Sequence, residues 1–421
     1  MQHRSKDLRR CMHVSPLLLA LHDSSYPRLL ARLPKLACYD SQMPTRRPRR
    51  KAVLLLLGGL LGSLFLFAFF TTEHFAALGY KAHGERLLRM QQNPNFKAGK
   101  FHNPQPRETM VRGEQWQATK EWFGGKQQRF PPAPLPVVNA ASELATPPKS
   151  GLRITWLGHS TTLIELDGAR IVTDPHWSLR ASPSMRVGPK RFHPPPLPLE
   201  SLGQVDAVVI SHDHYDHLDM TTVKRLGARG VRFVVPLGIG AHLEGWGIPA
   251  SQITELSWWE SFTLPSGVRI VSTPGQHFSG RLFPDGNPVL WSSYSLLGPA
   301  HRVFFSGDTG LAPELPSIGE KFGPFDVTLI EIGQYHRSWG SIHLGPHGAL
   351  TAHQQVRGKR LLPIHWATFE LAMHAWNEPP EELYAAAPTL GVSLLTPRLG
   401  QPVEPDQSPL LPPWWREPLV H

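Results

Sequence analysis

The sequence predicts an α/β domain of sheets covered by helices, carried behind a long N-terminal apolar helix. Three observations predict it: short β-rich runs alternate with turns and helical stretches from Leu152 onward, an uncharged apolar run fills residues 52–70, and a polar, proline-rich stretch separates the two. With 421 residues, 41% of them hydrophobic, the chain carries enough apolar material for one large folded domain or two ordinary ones.

Residues 1–51 hold 12 Lys/Arg against 3 Asp/Glu, leaving 31 against 30 in the other 370 residues. The formal charge of +10 is therefore almost wholly N-terminal, and nucleic acid is not an expected partner of the remainder. Residues 1–42 are basic, aperiodic and too short to build a core; Met43 stands just ahead of RRPRRK (46–51), and the functional chain is expected to begin there. The run AVLLLLGGLLGSLFLFAFF (52–70) matches the length a helix needs to cross a hydrocarbon core of about 30 Å. It exceeds the apolar part of a cleaved signal, so a transmembrane anchor is expected rather than a signal peptide. Five basic side chains in front of it place that flank in the cytoplasm and the following residues on the outer, extracytoplasmic side. The only cysteines are Cys11 and Cys38, so a metal site further along must use His, Asp or Glu. Residues 71–150, with FPPAPLP at 130–136, read as an arm or linker, 151–390 as the folded domain and 391–421 as a C-terminal tail.

The strands are legible as RITWL, TTLIEL, ARIVT, DAVVI, VRFVV, RIVST, RVFFS and DVTLI, with helices expected near 219–228, 238–246, 346–357 and 379–387. Where DAVVI (206–210) ends, SHDHYDHLD (211–219) begins, with six groups able to bind a metal or a proton in nine positions. Three more β-rich runs end the same way: RIVSTPGQH delivers His277, RVFFSGD delivers Asp308 and RLLPIH delivers His365. Strand ends are where layered α/β proteins assemble sites. His212, His214 and His277 can supply three nitrogens to one metal; Asp216, His217 and His365 can supply a carboxylate and two nitrogens to a second. Asp308 can bridge them, one oxygen to each. Two ions on the order of 3.5–4 Å apart suit the activation of water and the clamping of a displaced group's oxygens. Five His and two Asp without sulfur favour two zinc ions, with iron or manganese compatible.

HxHxDH with a later His, a strand-end Asp and a final His resembles the metallo-β-lactamase superfamily. The blocks WLGHSTTLIELDG, TDPHWSLRASP, GPKRFHPPPLPL, FVVPLGIG, PGQHFSGR, LWSSY, FFSGDTG, FDVTLIEIG and PIHWATF look like its N-acylphosphatidylethanolamine-hydrolysing phospholipase D branch, and QNPNFKAGKFHN (92–103) looks like that branch's arm. The resemblance implies an αββα sandwich with His212, His214, His277 and Asp308 on one zinc and Asp216, His217, Asp308 and His365 on the other. It further implies Asp174 as a carboxylate beneath the metal loop, and His343 as a catalytic histidine that positions or protonates the leaving group. Asp216 joins His343 as a residue on which activity should depend. Arg191, Arg281 and Tyr335 are candidate phosphate or headgroup contacts; Asp213 reads as a loop acceptor, Asp219 as a helix N-cap, and Trp258 and Trp259 as packing. The chain departs from the branch at QYHRSWG (334–340), where Tyr335 is kept and a proline is missing, and at His347 and Gly348, where an acidic pair is usual.

The function expected from these residues is a membrane-anchored dinuclear zinc hydrolase in which a bridging hydroxide attacks a phosphodiester, with a phospholipid-like substrate. The same centre could serve lactone, β-lactam or other carboxylic ester hydrolysis on a small molecule, and a tethered binding protein without turnover is the reading from another class.

Overall fold

The computed structural model describes residues 49–69, 72–106, 109–281, 286–409 and 411–419. The expectations for residues 1–42, for Cys11 and Cys38 and for a start at Met43 lie outside the described residues. Two compact units divide the chain, residues 1–63 and 64–421. A helix, Arg49–Phe69, covers nearly all of the uncharged run. Its side chains are described only over residues 53–63, and among the described residues no helix is long and apolar enough to cross a membrane. The expected span over 52–70 therefore rests on the sequence.

The second unit is built on two seven-stranded sheets. The first comprises β1 (Leu152–Gly158), β2 (Thr161–Leu166), β3 (Ala169–Thr173), β4 (Ala207–Val209), β5 (Arg232–Pro236) and β6 (Ile253–Leu256) side by side. The second comprises β7 (Ser261–Thr263), β8 (Arg269–Thr273), β9 (Ser293–Leu297), β10 (Arg302–Phe305), β11 (Phe325–Glu331), β12 (Gly358–Ile364) and β13 (Ser393–Leu394). A last strand, β14 (Pro402–Val403), returns antiparallel to β1 and completes the first sheet.

Strand residues alternate between two apolar layers. Ala207 and Val209 of β4 pack with Ile270, Val303 and Phe305 of the other sheet, while Val208 and Ile210 pack with Leu218, Val223 and Leu226 on and before the helix Met220–Gly227. Both faces are covered, so the strands read as continuous apolar runs rather than alternating ones. Helices Leu315–Phe322 and Gly345–Gln355 cover the outer face of the second sheet, giving the four-layer αββα sandwich. The helices expected near 219–228, 238–246, 346–357 and 379–387 are present as Met220–Gly227, Gly240–Gly245, Gly345–Gln355 and Glu378–Ala386.

Strand direction decides where the site forms. In the first sheet β1, β3 and β4 run the same way, and in the second β8, β10, β11 and β12 do, because two antiparallel steps restore direction and the remaining pairs are parallel. Each of these strands therefore delivers its following residue to one edge of its sheet.

Two expectations need correction. Residues 391–421 are not a tail: β13 and β14 add a strand to each sheet, and Trp414 and Trp415 are buried. Trp414 stacks on Trp366 at 5.4 Å between ring centroids and Trp415 meets the same ring edge-on at 5.5 Å, next to His365. Removing such a ring typically costs about 3–5 kcal/mol. Nor is 71–150 a free linker. Met90 and Phe101 are buried with Trp258 and Trp291, and Arg86 pairs with Glu244 and Glu255, each at 2.8 Å.

Candidate metal centre

The strand ends supply every donor. His212, His214, Asp216 and His217 sit in the loop after β4, His277 follows β8, Asp308 follows β10 and His365 follows β12. Close approach of the loops depends on small residues. Gly307 takes φ +55°, and a Cβ there would lie 2.5 Å from Ser211 Cβ; a Cβ on Gly333 would lie 2.3 Å from the His365 carbonyl oxygen.

The structure brings all seven expected donors together, in two halves that share one atom. Around Asp308 Oδ2 stand His217 Nε2 at 3.1 Å and His365 Nε2 at 3.2 Å on one side, and His277 Nε2 at 3.8 Å and His212 Nε2 at 3.9 Å on the other. Asp216 Oδ2 lies 3.2 Å from His217 Nε2 and 3.4 Å from His365 Nε2, which are themselves 3.2 Å apart. In the other half His214 Nδ1 is 2.7 Å from His212 Nε2 and 3.4 Å from His277 Nε2. Of the two Asp308 oxygens, Oδ2 makes the close approach to both halves, and Oδ1 is buried without a hydrogen-bond partner among the described residues.

These donors fit metal ions. Ligands about 2.0–2.2 Å from a tetrahedral ion stand about 3.3–3.6 Å from one another, and the separations among Asp216, His217, His365 and Asp308 lie close to that edge. Nitrogens whose lone pairs converge and two buried carboxylates call for a shared cation. The imidazoles are also aimed from behind. His217 Nδ1 lies 2.6 Å from Asp174 Oδ2, and Asp174 additionally accepts the Ser211 N–H at 2.7 Å and the Ser211 hydroxyl at 2.6 Å. His277 Nδ1 donates to the Ile342 carbonyl at 3.0 Å, and His212 Nδ1 lies 2.9 Å from Ser211 Oγ. Such partners select the tautomer that turns the other nitrogen inward.

Solvent reaches both halves of the cluster, at partly exposed His214 in one and Asp216 in the other. The Asp216 and His343 side chains keep 14% and 11% exposure, against 2% or less for His212, His217, His277, Asp308 and His365. His343 stacks on His365 at 5.4 Å and meets His277 edge-on at 5.1 Å, so it touches a donor of each half.

Asp219 caps the helix Met220–Gly227, accepting from Thr221 N–H, and Asp213 accepts the Gly280 N–H at 2.7 Å, as the sequence suggested. Trp258 is buried and Trp259 lies under Lys321. The candidate headgroup contacts are corrected. Arg191 is buried and donates to the carbonyls of His176 and His193. Arg281 is buried, donates to the carbonyls of Ala77, Asp213 and Leu218, and stacks on Tyr215. Tyr335 donates its hydroxyl to Glu378 at 2.8 Å and stacks on His374. A guanidinium whose donors are spent on backbone beneath a loop holds the loop, not a phosphate.

Two residues escaped the sequence reading. His159, directly after β1, places Nε2 2.8 Å from Asp216 Oδ2. Glu331, the last residue of β11, is fully buried and lies 3.1 Å from His343 Nδ1 while accepting the backbone N–H groups of Thr309 and Leu344 at 3.1 Å. Both obey the strand-end rule that found the others, and that rule is the signal that could have found them.

Converging imidazoles and carboxylates at the edge of an αββα sandwich define a metal-dependent hydrolase, and the comparisons with known proteins agree. Residues 169–366 match the beta-lactamase superfamily domain. An uncharacterized protein of Mycobacterium tuberculosis is 45% identical over 347 residues, 81% of this chain and 92% of that one. The N-acyl-phosphatidylethanolamine-hydrolyzing phospholipase D 1 of Caenorhabditis elegans is 40% identical over 245 residues, covering 56% of this chain and 69% of the relative. A metallo hydrolase from Ignicoccus hospitalis superposes over 60% of this chain and 97% of its own, with a TM-score of 0.46 and 25% identity. The chain belongs to the metallo-β-lactamase superfamily, in the branch of the N-acylphosphatidylethanolamine-hydrolysing phospholipases D, and is a metallo-hydrolase.

Proposed function

We propose that this protein is a dinuclear zinc phosphodiesterase that hydrolyses a phospholipid-like substrate at the face of a membrane. The observation that carries the dinuclear part is the pair of donor sets meeting at Asp308 Oδ2. His212, His214, His277 and Asp308 would hold one ion, and Asp216, His217, His365 and Asp308 the other. The ions, when bound, supply an acidified water and charge neutralisation for the phosphoryl oxygens. The chain itself does the rest. Asp174, Ser211 and the Ile342 carbonyl orient the imidazoles, and burial keeps bulk water from His212, His217, His277 and His365. Glu331 accepts from His343 Nδ1–H; with a proton on both ring nitrogens, His343 would pass the Nε2 proton to the departing alkoxide and be left as the neutral imidazole.

A phospholipid-like substrate is supported by the name of the relative from Caenorhabditis elegans. Membrane tethering is supported by the uncharged run after RRPRRK and by Leu54, Leu55, Leu56 and Leu61, each at least 65% exposed on their helix. A bare row of leucines has no aqueous rationale. The catalytic unit would then face the outer, extracytoplasmic side. The test is metal content of the purified protein followed by turnover of a chromogenic phosphodiester beside a lactone and a β-lactam. Two ions with phosphodiester cleavage are expected; two ions with acyl hydrolysis alone would overturn the substrate class. Resistance to alkaline extraction from membranes tests the tether separately.

A further inference from the structure

We propose that His159 is a positioning residue for Asp216: by donating its Nε2–H to Asp216 Oδ2 it holds that carboxylate at its half of the cluster and so sets how tightly that half keeps its ion. The inference rests on the dinuclear reading above and assigns a role to a side chain outside the seven donors.

Three observations carry it. The first is distance. His159 Nε2 falls within the same group of converging atoms as Asp216, His217 and His365, yet it lies only 2.8 Å from Asp216 Oδ2. The donor pairs within that half stand 3.1–3.4 Å apart. A contact of 2.8 Å is ordinary hydrogen-bond length, so His159 Nε2–H donates to the carboxylate. The second is what Asp216 lacks. It is the more exposed of the two carboxylate donors, at 14% against 2% for Asp308, and among the described residues His159 is the one group outside the seven donors that hydrogen-bonds to it. A partly exposed carboxylate with no other tether rotates about its side-chain torsions, and its affinity for an ion falls with that freedom.

The third is how firmly His159 itself is held. Its backbone takes φ +51°, a left-handed conformation that persists only where surroundings impose it. Here they do. The His159 N–H donates to Thr368 Oγ1 at 2.7 Å, and its carbonyl accepts both the Trp156 indole N–H at 2.8 Å and the His365 N–H at 2.9 Å. The ring is pinned between His365, at 4.2 Å between centroids, and the edge of Phe369 at 5.2 Å. Its Nδ1 is buried with no partner among the described residues, so among them the polar contact of the imidazole is the one to Asp216. The same backbone bond that fixes His159 also fixes His365, so one rigid unit sets two of the four donors of that half.

The test is the affinity of each ion, read by chelator competition and elemental analysis on the full chain with zinc as the probe. His159→Phe keeps a ring of similar shape and removes the donor; His159→Gln keeps an N–H near the Nε2 position. Wild type is expected to bind two ions. His159→Phe should retain the first and bind the second about 10–100-fold more weakly, and His159→Gln should stay close to wild type. Wild-type affinity for both ions in His159→Phe would reduce the residue to packing and overturn the proposal. Loss of the second ion from His159→Gln would mark the imidazole as a ligand in its own right and equally overturn it, and this arm stands even if the Phe variant does not fold. A wild-type chain that binds fewer than two ions overturns the dinuclear reading and the proposal together.

Discussion

The two halves of the donor cluster share Asp308 but are backed by different chemistry. Behind His212 and His277 stand a hydroxyl and a peptide carbonyl, Ser211 Oγ and Ile342 O. Behind His217 stands the Asp174 carboxylate, and Glu331 lies 3.8 Å from His365 Nδ1. The halves also differ in proton affinity. Burial holds His212 and His277 well below the usual imidazole range, with crowding imidazoles adding to it. Burial works against charge on His217 and His365 too, but Asp308 and Asp216 outweigh it, lifting His365 to about 10 and His217 well above its ordinary value. One half meets an ion with its lone pairs already free; the other must release protons to accept it. Nearness to the Asp308 and Asp216 carboxylates makes the second half the more basic one, where protons compete with the ion.

The largest break of this comparison is removal of the shared atom. Asp308→Ala should strip both halves and lower phosphodiester turnover by at least about 10³-fold, with metal content below one ion per chain. Asp216→Asn, which touches one half only, should leave the fold and the first ion in place and lower turnover by about 10²–10³-fold; full activity with two ions would refute its assignment. Asp174→Asn should act chiefly through His217, weakening the second ion by about 10–100-fold, with a smaller effect on the first through Ser211 and His212.

Lowering the pH sharpens the contrast without mutation. Imidazoles with a raised pKa keep their protons to higher pH, so protons compete with the ion around His217 and His365 across the neutral range. Around His212 and His277 that competition begins only in acid. As pH falls the Asp216 half should therefore lose its ion first, a two-step release visible in metal content against pH; simultaneous loss would contradict the difference between the halves. The smallest effect is expected outside the cluster. Tyr335→Phe removes one hydrogen bond to Glu378, so it should cost about 1 kcal/mol of stability and leave both ions and turnover nearly unchanged. A large rise in KM would instead restore Tyr335 as a substrate contact.

Much of this was legible along the chain. β1 to β5, β8, β10 and β11 and the four expected helices announce themselves by apolar runs and periodicity, and the loop 211–219 by its density of ligand side chains. His159 was hidden because a single histidine after LRITWLG looks like any turn residue until the 57-residue step to Asp216 is closed. Glu331 was hidden as a lone acid ending an apolar strand. Arg191 and Arg281 misled because a cation beside a loop reads as a surface group, whereas backbone carbonyls here take up its donors. The two tryptophans near the C-terminus lie beyond the last strong strand signal, and nothing local tells that they pack on Trp366, one stacked and one edge-on.

What the sequence determined by itself is the inventory: layered strands and helices, and seven His and Asp side chains placed at strand ends, because periodicity and residue chemistry are local properties. What only the tertiary structure decided is the grouping. Parallel and antiparallel steps within each sheet choose which strand ends share an edge. That choice joins His159 to His365 across 206 residues, makes Asp308 Oδ2 the common atom, and hands each imidazole its backing group. No local pattern carries that information, because register and strand direction are settled by burial of the whole core at once.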